Sequence, residues 1–159
     1  CCETCVDVMA KTLNEISIPN ISLDLDITKE VVIQSVEEAI SKMTALSAMG
    51  ISFALDVFGT GYSSISYLKR LPGSTLKIDY SFVRDIVDDR NDRVLVETIV
   101  TMGQLLDLKV VAEGVEEKPQ LDILAAFGCN SYQGYYFSRP VPLKDFESLL
   151  QKNQIEKSA

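Results

Sequence analysis

Five short strand-like runs alternate with five segments of helical spacing, and this rhythm limits the fold more than any other feature of the sequence. The runs are SLDLDI (22–27), ISFALD (51–56), TLKID (75–79), LKVVAEG (108–114) and CNSYQG (129–134). Between and after them, apolar residues recur three and four apart over about 30–48, 63–71, 91–106, 117–127 and 143–152, which predicts helices. Gly50 ends the first helix, Ser63 or Ser64 can cap the second, and Pro72-Gly73 turns the chain toward the third strand. Strand followed by helix, five times over, predicts parallel strands joined by right-handed crossovers. The nearly continuous apolar stretches ISFAL and KVVA predict a sheet covered on both faces. Five such units fit an open doubly wound sheet or part of an eight-stranded barrel, and spacing alone leaves both standing.

The polar residues fall at matching places. Asp26, Asp56, Lys77 with Asp79, Glu113 and Gln133 each sit at the carboxyl end of a predicted strand. Taken singly, Asp26 or Asp56 reads as a helix cap or loop residue, and Lys77 as a side chain reaching for solvent. Five at equivalent positions argue for a crevice, because the carboxyl ends of parallel strands converge on one. Carboxylates gathered there repel unless a divalent cation lies between them, and hard oxygen donors without imidazole favour Mg²⁺, Mn²⁺ or Ca²⁺ over Zn²⁺. Lys77 could balance charge on a phosphate or help deprotonate a water. Gly59, Gly61 and Gly114 mark unusual backbone dihedrals or close approach, although FGTG does not match the GxGxxG dinucleotide pattern.

Composition excludes several classes. A net charge of -8 over 159 residues opposes nonspecific binding to DNA, RNA or anionic lipid. No stretch approaches the roughly 20 apolar residues of a membrane span, and residues 1–20 lack the pattern of a signal peptide. Cys1, Cys2, Cys5 and Cys129 are too unevenly spaced for a disulfide framework and fit reduced thiols in the cytoplasm. Cys2-x-x-Cys5 offers at most half a zinc or redox site, with no second CxxC and no His in the sequence. A start at Cys1-Cys2-Glu3 without Met suggests a fragment or a processed product.

Four motifs then narrow the field: DVFGTGYSSISYLKRLP, LKIDYSFV, VVAEGVEE and GCNSYQGYYFSRPVP, in this order and spacing. Together they resemble the EAL domain family of bacterial cyclic di-GMP phosphodiesterases, over about Leu23 to Leu150. The resemblance implies a TIM-type (β/α)8 barrel with one antiparallel strand, of which this chain holds about five βα units, so that residues 1–159 form a partial EAL domain. It also implies two Mg²⁺ or Mn²⁺ ions, hydrolysis of cyclic di-GMP to linear pGpG, a dimeric active form, and neighbouring sensory or diguanylate cyclase domains. Matched position by position, Asp26, Asp56 and Glu113 fall on metal ligands, Lys77 on the catalytic lysine, Gln133 on the active-site glutamine, and Glu116 on a lesser acidic member of the pocket.

Two positions depart from the family pattern, and the sequence contains no Glu-Ala-Leu signature. Where the family has a second aspartate after Asp56 this chain has Val57, which offers no lone pair to a metal. Where it has a second glutamate in the E-x-T-E stretch this chain has Lys29, so a negative tether for the loop after Asp56 becomes positive. The signature and an upstream Asn ligand are expected before Cys1, along with the first strands of the barrel. These departures imply a degenerate site, with weak or no hydrolysis. A noncatalytic receptor for cyclic di-GMP, or a protein-interaction module, is the other reading. A barrel lacking strands exposes two sheet edges, so a homodimer or a preceding segment is expected to cover them.

Overall fold

The computed structural model describes residues 5–15, 23–28, 35–58, 68–73, 75–129 and 131–156; the side chains of Cys5, Leu13, Asn14, Val57, Phe58 and 151–156 fall outside the description. In chain order the elements are α1 (Cys5–Glu15), β1 (Leu23–Thr28), α2 (Val36–Ser47), β2 (Ile51–Phe58), β3 (Thr75–Ile78), α3 (Tyr80–Asp85), α4 (Arg90–Leu105), β4 (Lys109–Glu113), α5 (Lys118–Ala126), β5 (Ser131–Gln133) and α6 (Leu143–Glu156). The expectations for Cys1, Cys2, Lys29, Gly59, Gly61, Ser63 and Ser64, and for most of the helix at 63–71, lie outside the described residues.

The strands form one parallel sheet in the order β1-β2-β3-β4-β5. A sequential order with right-handed crossovers puts every helix on the same side, whereas a doubly wound sheet reverses its order at a switch point. The sheet is therefore a stretch of barrel wall, which decides between the two architectures that spacing left open.

Burial agrees. Leu25 pairs with Phe53, and Leu55 with Leu76 and through it Val110, so these side chains share one face. Against that face pack Met43 and Leu46 of α2, Val83 of α3, Val96 and Val100 of α4 and Leu124 of α5, in one core cluster. The other face carries Asp24, Asp26 and Thr28, all exposed, in strict alternation with half-buried Leu23, Leu25 and Ile27. The expectation of a sheet covered on both faces is met by helices on one face only. Ala54 and Val111 lie on the other, barrel-interior side with Asp26 and Lys77, where a barrel is filled by its own strands.

Helix ends follow local chemistry. The Asp79 carboxylate accepts from the Ser81 amide at 2.8 Å and starts α3, a six-residue helix too short to announce itself by periodicity. Asp89 caps α4 by accepting from the Asn91 amide at 2.6 Å. Helix α2 begins at Val36, inside the predicted 30–48. No helix among the described residues is long and apolar enough to cross a membrane.

Candidate cation and phosphate site at the strand ends

In-register pairing sets Thr28, Asp56, Lys77, Val111 and Ser131 in one row across the interior face, with Glu113 opposite Gln133 two residues higher. Lys77 of β3 reaches Asp26 of β1 over the intervening β2, where the residue paired with Asp26 is the small Ala54. Its Nζ lies 2.8 Å from Asp26 Oδ2 and 2.5 Å from Glu113 Oε1. With its side chain 16% exposed, Lys77 is the inner member of this trio. Three strands far apart in sequence thereby meet at one ammonium group.

Burial is the strongest single influence on Lys77 and opposes its charge, but its hydrogen bonds to Asp26 and Glu113 and the negative charges of both carboxylates together outweigh it and hold the pKa above the ordinary lysine value. An ammonium held in this way can balance phosphate charge but is a poor base. Asp56 shifts upward, first through burial and then through the nearby charge of Glu113, with Asp79 and Asp26 adding and Lys77 opposing. The site thus holds more negative charge than Lys77 cancels.

The expected gathering of carboxylates is present, but it is arranged around Lys77 rather than around a common vacant point. Among the described residues no three Asp, Glu, Cys or His side chains are grouped to hold a metal ion. The physical reason is the ammonium itself, which stands between Asp26 and Glu113. The donor chemistry nonetheless fits a hard divalent cation: acidic oxygens in surplus, without imidazole or thiolate. At the end of β2 the ladder runs from Asp56–Lys77 to Phe58–Ile78 and skips position 57, a β-bulge at the rim of the site.

Glu116 and Gln133 lie outside the ion-paired trio, although Gln133 is the ladder partner of Glu113. Glu116 is exposed, and its carboxylate takes no part in these contacts; its backbone N–H donates to Gln120 Oε1 at 2.8 Å. Gln133 ends β5 and lines a cavity of about 380 Å³ with Tyr135, Phe137, Arg139, Pro140 and Phe146. The Arg139 guanidinium lies 4.8 Å from the centre of the Tyr135 ring. These aromatic residues were legible as part of the YQGYYFSRP motif, but alternation and charge do not single them out. Gly114 takes φ +71°, the unusual dihedral expected of it.

A barrel wall with acidic side chains and one half-buried lysine at its carboxyl-terminal rim is the layout in which barrel domains place their sites. The EAL domain model matches residues 3–140, and the chain belongs to the EAL domain family. It is 42% identical over 137 residues to the bifunctional diguanylate cyclase/cyclic di-GMP phosphodiesterase MucR of Pseudomonas aeruginosa, covering 86% of this chain and 20% of MucR. It is 40% identical over 146 residues to the cyclic di-GMP phosphodiesterase NbdA of the same organism, covering 92% of this chain and 19% of NbdA. The solved structure of the P. aeruginosa MucR phosphodiesterase in complex with c-di-GMP superposes with a TM-score of 0.84 at 40% identity, over 91% of this chain and 58% of that one. The chain thus spans about a fifth of the length of these curated relatives.

Proposed function

We propose that residues 1–159 are part of an EAL domain that takes cyclic di-GMP at its strand ends and hydrolyses it to pGpG weakly or not at all. The observation that carries this reading is the convergence of Asp26, Lys77 and Glu113 within hydrogen-bond reach, with Asp56 in their field. In it, Asp26, Asp56 and Glu113 hold Mg²⁺ or Mn²⁺, Lys77 and Gln133 meet the phosphate, and Glu116 contributes from the rim. A divalent cation bound there supplies an activated water and neutralises charge on the phosphodiester.

Lys77 stays protonated and offsets phosphate charge. The aromatic cavity beside Gln133 offers ring faces to a base, and Arg139 a cation to its phosphate. Val57 leaves the bulge beside Asp56 without the carboxylate that a second cation needs. This loss favours a second reading, a receptor that binds cyclic di-GMP intact. The bifunctional name of MucR supports a further proposal, that a diguanylate cyclase domain shares the polypeptide; the outer strands β1 and β5 support another, that a second copy or a preceding segment completes the barrel.

The test is calorimetry with cyclic di-GMP, followed by chromatography for pGpG, on the full-length protein with Mn²⁺. The parent is expected to bind with little turnover, and Val57→Asp to raise Mn²⁺-dependent cleavage by about tenfold or more, the scale on which a metal site's supporting group acts. A parent that already cleaves fast would sink the degenerate reading. Absence of binding would sink the ligand.

A further inference from the structure

Gln120 is the buried polar side chain among the described residues, 5% exposed in a core otherwise apolar. An amide placed there is costly unless both of its ends are hydrogen-bonded, and both are. Its Oε1 accepts from the backbone amides of Glu116 at 2.8 Å and Glu117 at 3.0 Å. Those two bonds satisfy orphan donors at the start of α5, as an ordinary helix cap does. Its Nε2 does something a cap does not require. It donates to the carbonyl of Arg84 at 3.3 Å, in the last turn of α3, 36 residues earlier in the chain.

What this bond joins is the frame of the site. Helix α3 starts directly after Asp79, two residues past Lys77, and residues 114–117 lead from Glu113 into α5. The two connections are also in direct contact, because a Cβ built on Gly114 would lie 2.7 Å from Tyr80 Cβ. On its far side the same connection holds the end of β5: the Val115 amide donates to the Gln133 carbonyl at 3.1 Å, and the Tyr136 amide to the Val115 carbonyl at 2.9 Å. One buried amide thus fastens the segments that follow Lys77 and Glu113.

We propose that Gln120 is a positioning residue whose bridge from α5 to α3 sets Glu113 against Lys77 at the strand-end site. The consequence for metal binding rests on the reading under Proposed function; the consequence for the Lys77–Glu113 pair does not. An amide can accept and donate, a carboxylate only accepts, and a hydrocarbon does neither. Gln120→Glu therefore keeps the cap but faces the Arg84 carbonyl with a second acceptor, while Gln120→Leu loses both functions.

The experiment compares full-length parent, Gln120→Glu and Gln120→Leu, each first shown to be folded by circular dichroism. Mn²⁺ affinity is measured by calorimetry, and the Lys77 side-chain ammonium resonance is followed by NMR without metal. Gln120→Glu is expected to keep the Glu116 and Glu117 amides protected from exchange, yet to move the Lys77 resonance and weaken Mn²⁺ binding by about tenfold. Gln120→Leu is expected to lose protection as well. A Gln120→Glu protein with an unmoved Lys77 resonance and parental Mn²⁺ affinity reduces Gln120 to a cap and overturns the proposal. If the parent binds no Mn²⁺, the metal reading fails, and the Lys77 resonance decides the positioning role by itself. Should Gln120→Glu not fold, Gly114→Ala strains the same joint without touching the cap; an unmoved Lys77 resonance there overturns the proposal, and a shifted one supports it.

Discussion

Lys77 holds Asp26 at 2.8 Å and Glu113 at 2.5 Å, while Asp56 stands on the same face and pairs with neither end of that bridge. Burial first, and the charge of Glu113 second, raise the Asp56 pKa above its ordinary 3.8. The folded state therefore holds the Asp56 proton more tightly than the unfolded chain does, so the parent loses stability as pH rises from about 3.8 through the raised folded value. In metal-free protein, Asp56→Asn is expected to melt above the parent at pH 7 and together with it near pH 3; equal melting temperatures at both would contradict the shift. Spacing made Asp26, Asp56, Lys77 and Glu113 legible because strand ends share a rim. It was silent on which groups touch, since Lys77 reaches Asp26 only across the small Ala54, and on Glu116, which sequence groups with Glu113 but the turn at Gly114 leaves in solvent.

Among the elements, α4 on β4 shows how closely the helical layer is seated. A Cβ on Gly103 would lie 2.3 Å from Val110 Cγ2, and a β-branched side chain has little freedom to yield. Gly to Ala inside a helix ordinarily gains about 1 kcal/mol, but overpacking costs roughly 1–3 kcal/mol. The clash is expected to win, so Gly103→Ala should melt lower by about 2–6 °C in a calorimetric scan, and a rise in Tm would show that α4 can lift. Helix α1 (Cys5–Glu15) went unforeseen, whereas the strands and helices α2, α4, α5 and α6 were legible within a residue or two at most ends, because strand runs and three-to-four spacing persist over enough residues. Helix α3 was not, since six residues complete fewer than two turns, and Asp79 with Ser81 at its start is a common local pattern. The one-sided cover of β4 was also hidden: KVVA is apolar on both faces, although Val111 belongs to the interior.

For the molecule as a whole, β1 and β5 are the outer strands of the sheet, and the stretch from Tyr132 to Leu150 exposes Tyr135, Phe137, Leu143 and Phe146. Open strand edges and exposed aromatic side chains favour association. In light scattering, residues 1–159 alone are expected to run well above the 17.6 kDa of one chain, and a stable species of that mass would contradict the account of the barrel wall. The net charge of -8 repels a dinucleotide at long range, so capture depends on cations set within the site. The most direct measurement is therefore titration of cyclic di-GMP into the full-length protein and its Asp56→Asn variant, with Mn²⁺ and then with chelator. Binding that needs Mn²⁺ and weakens about tenfold or more in the variant is expected; the same affinity in both proteins, with or without metal, would contradict a cation-assembled site at the strand ends.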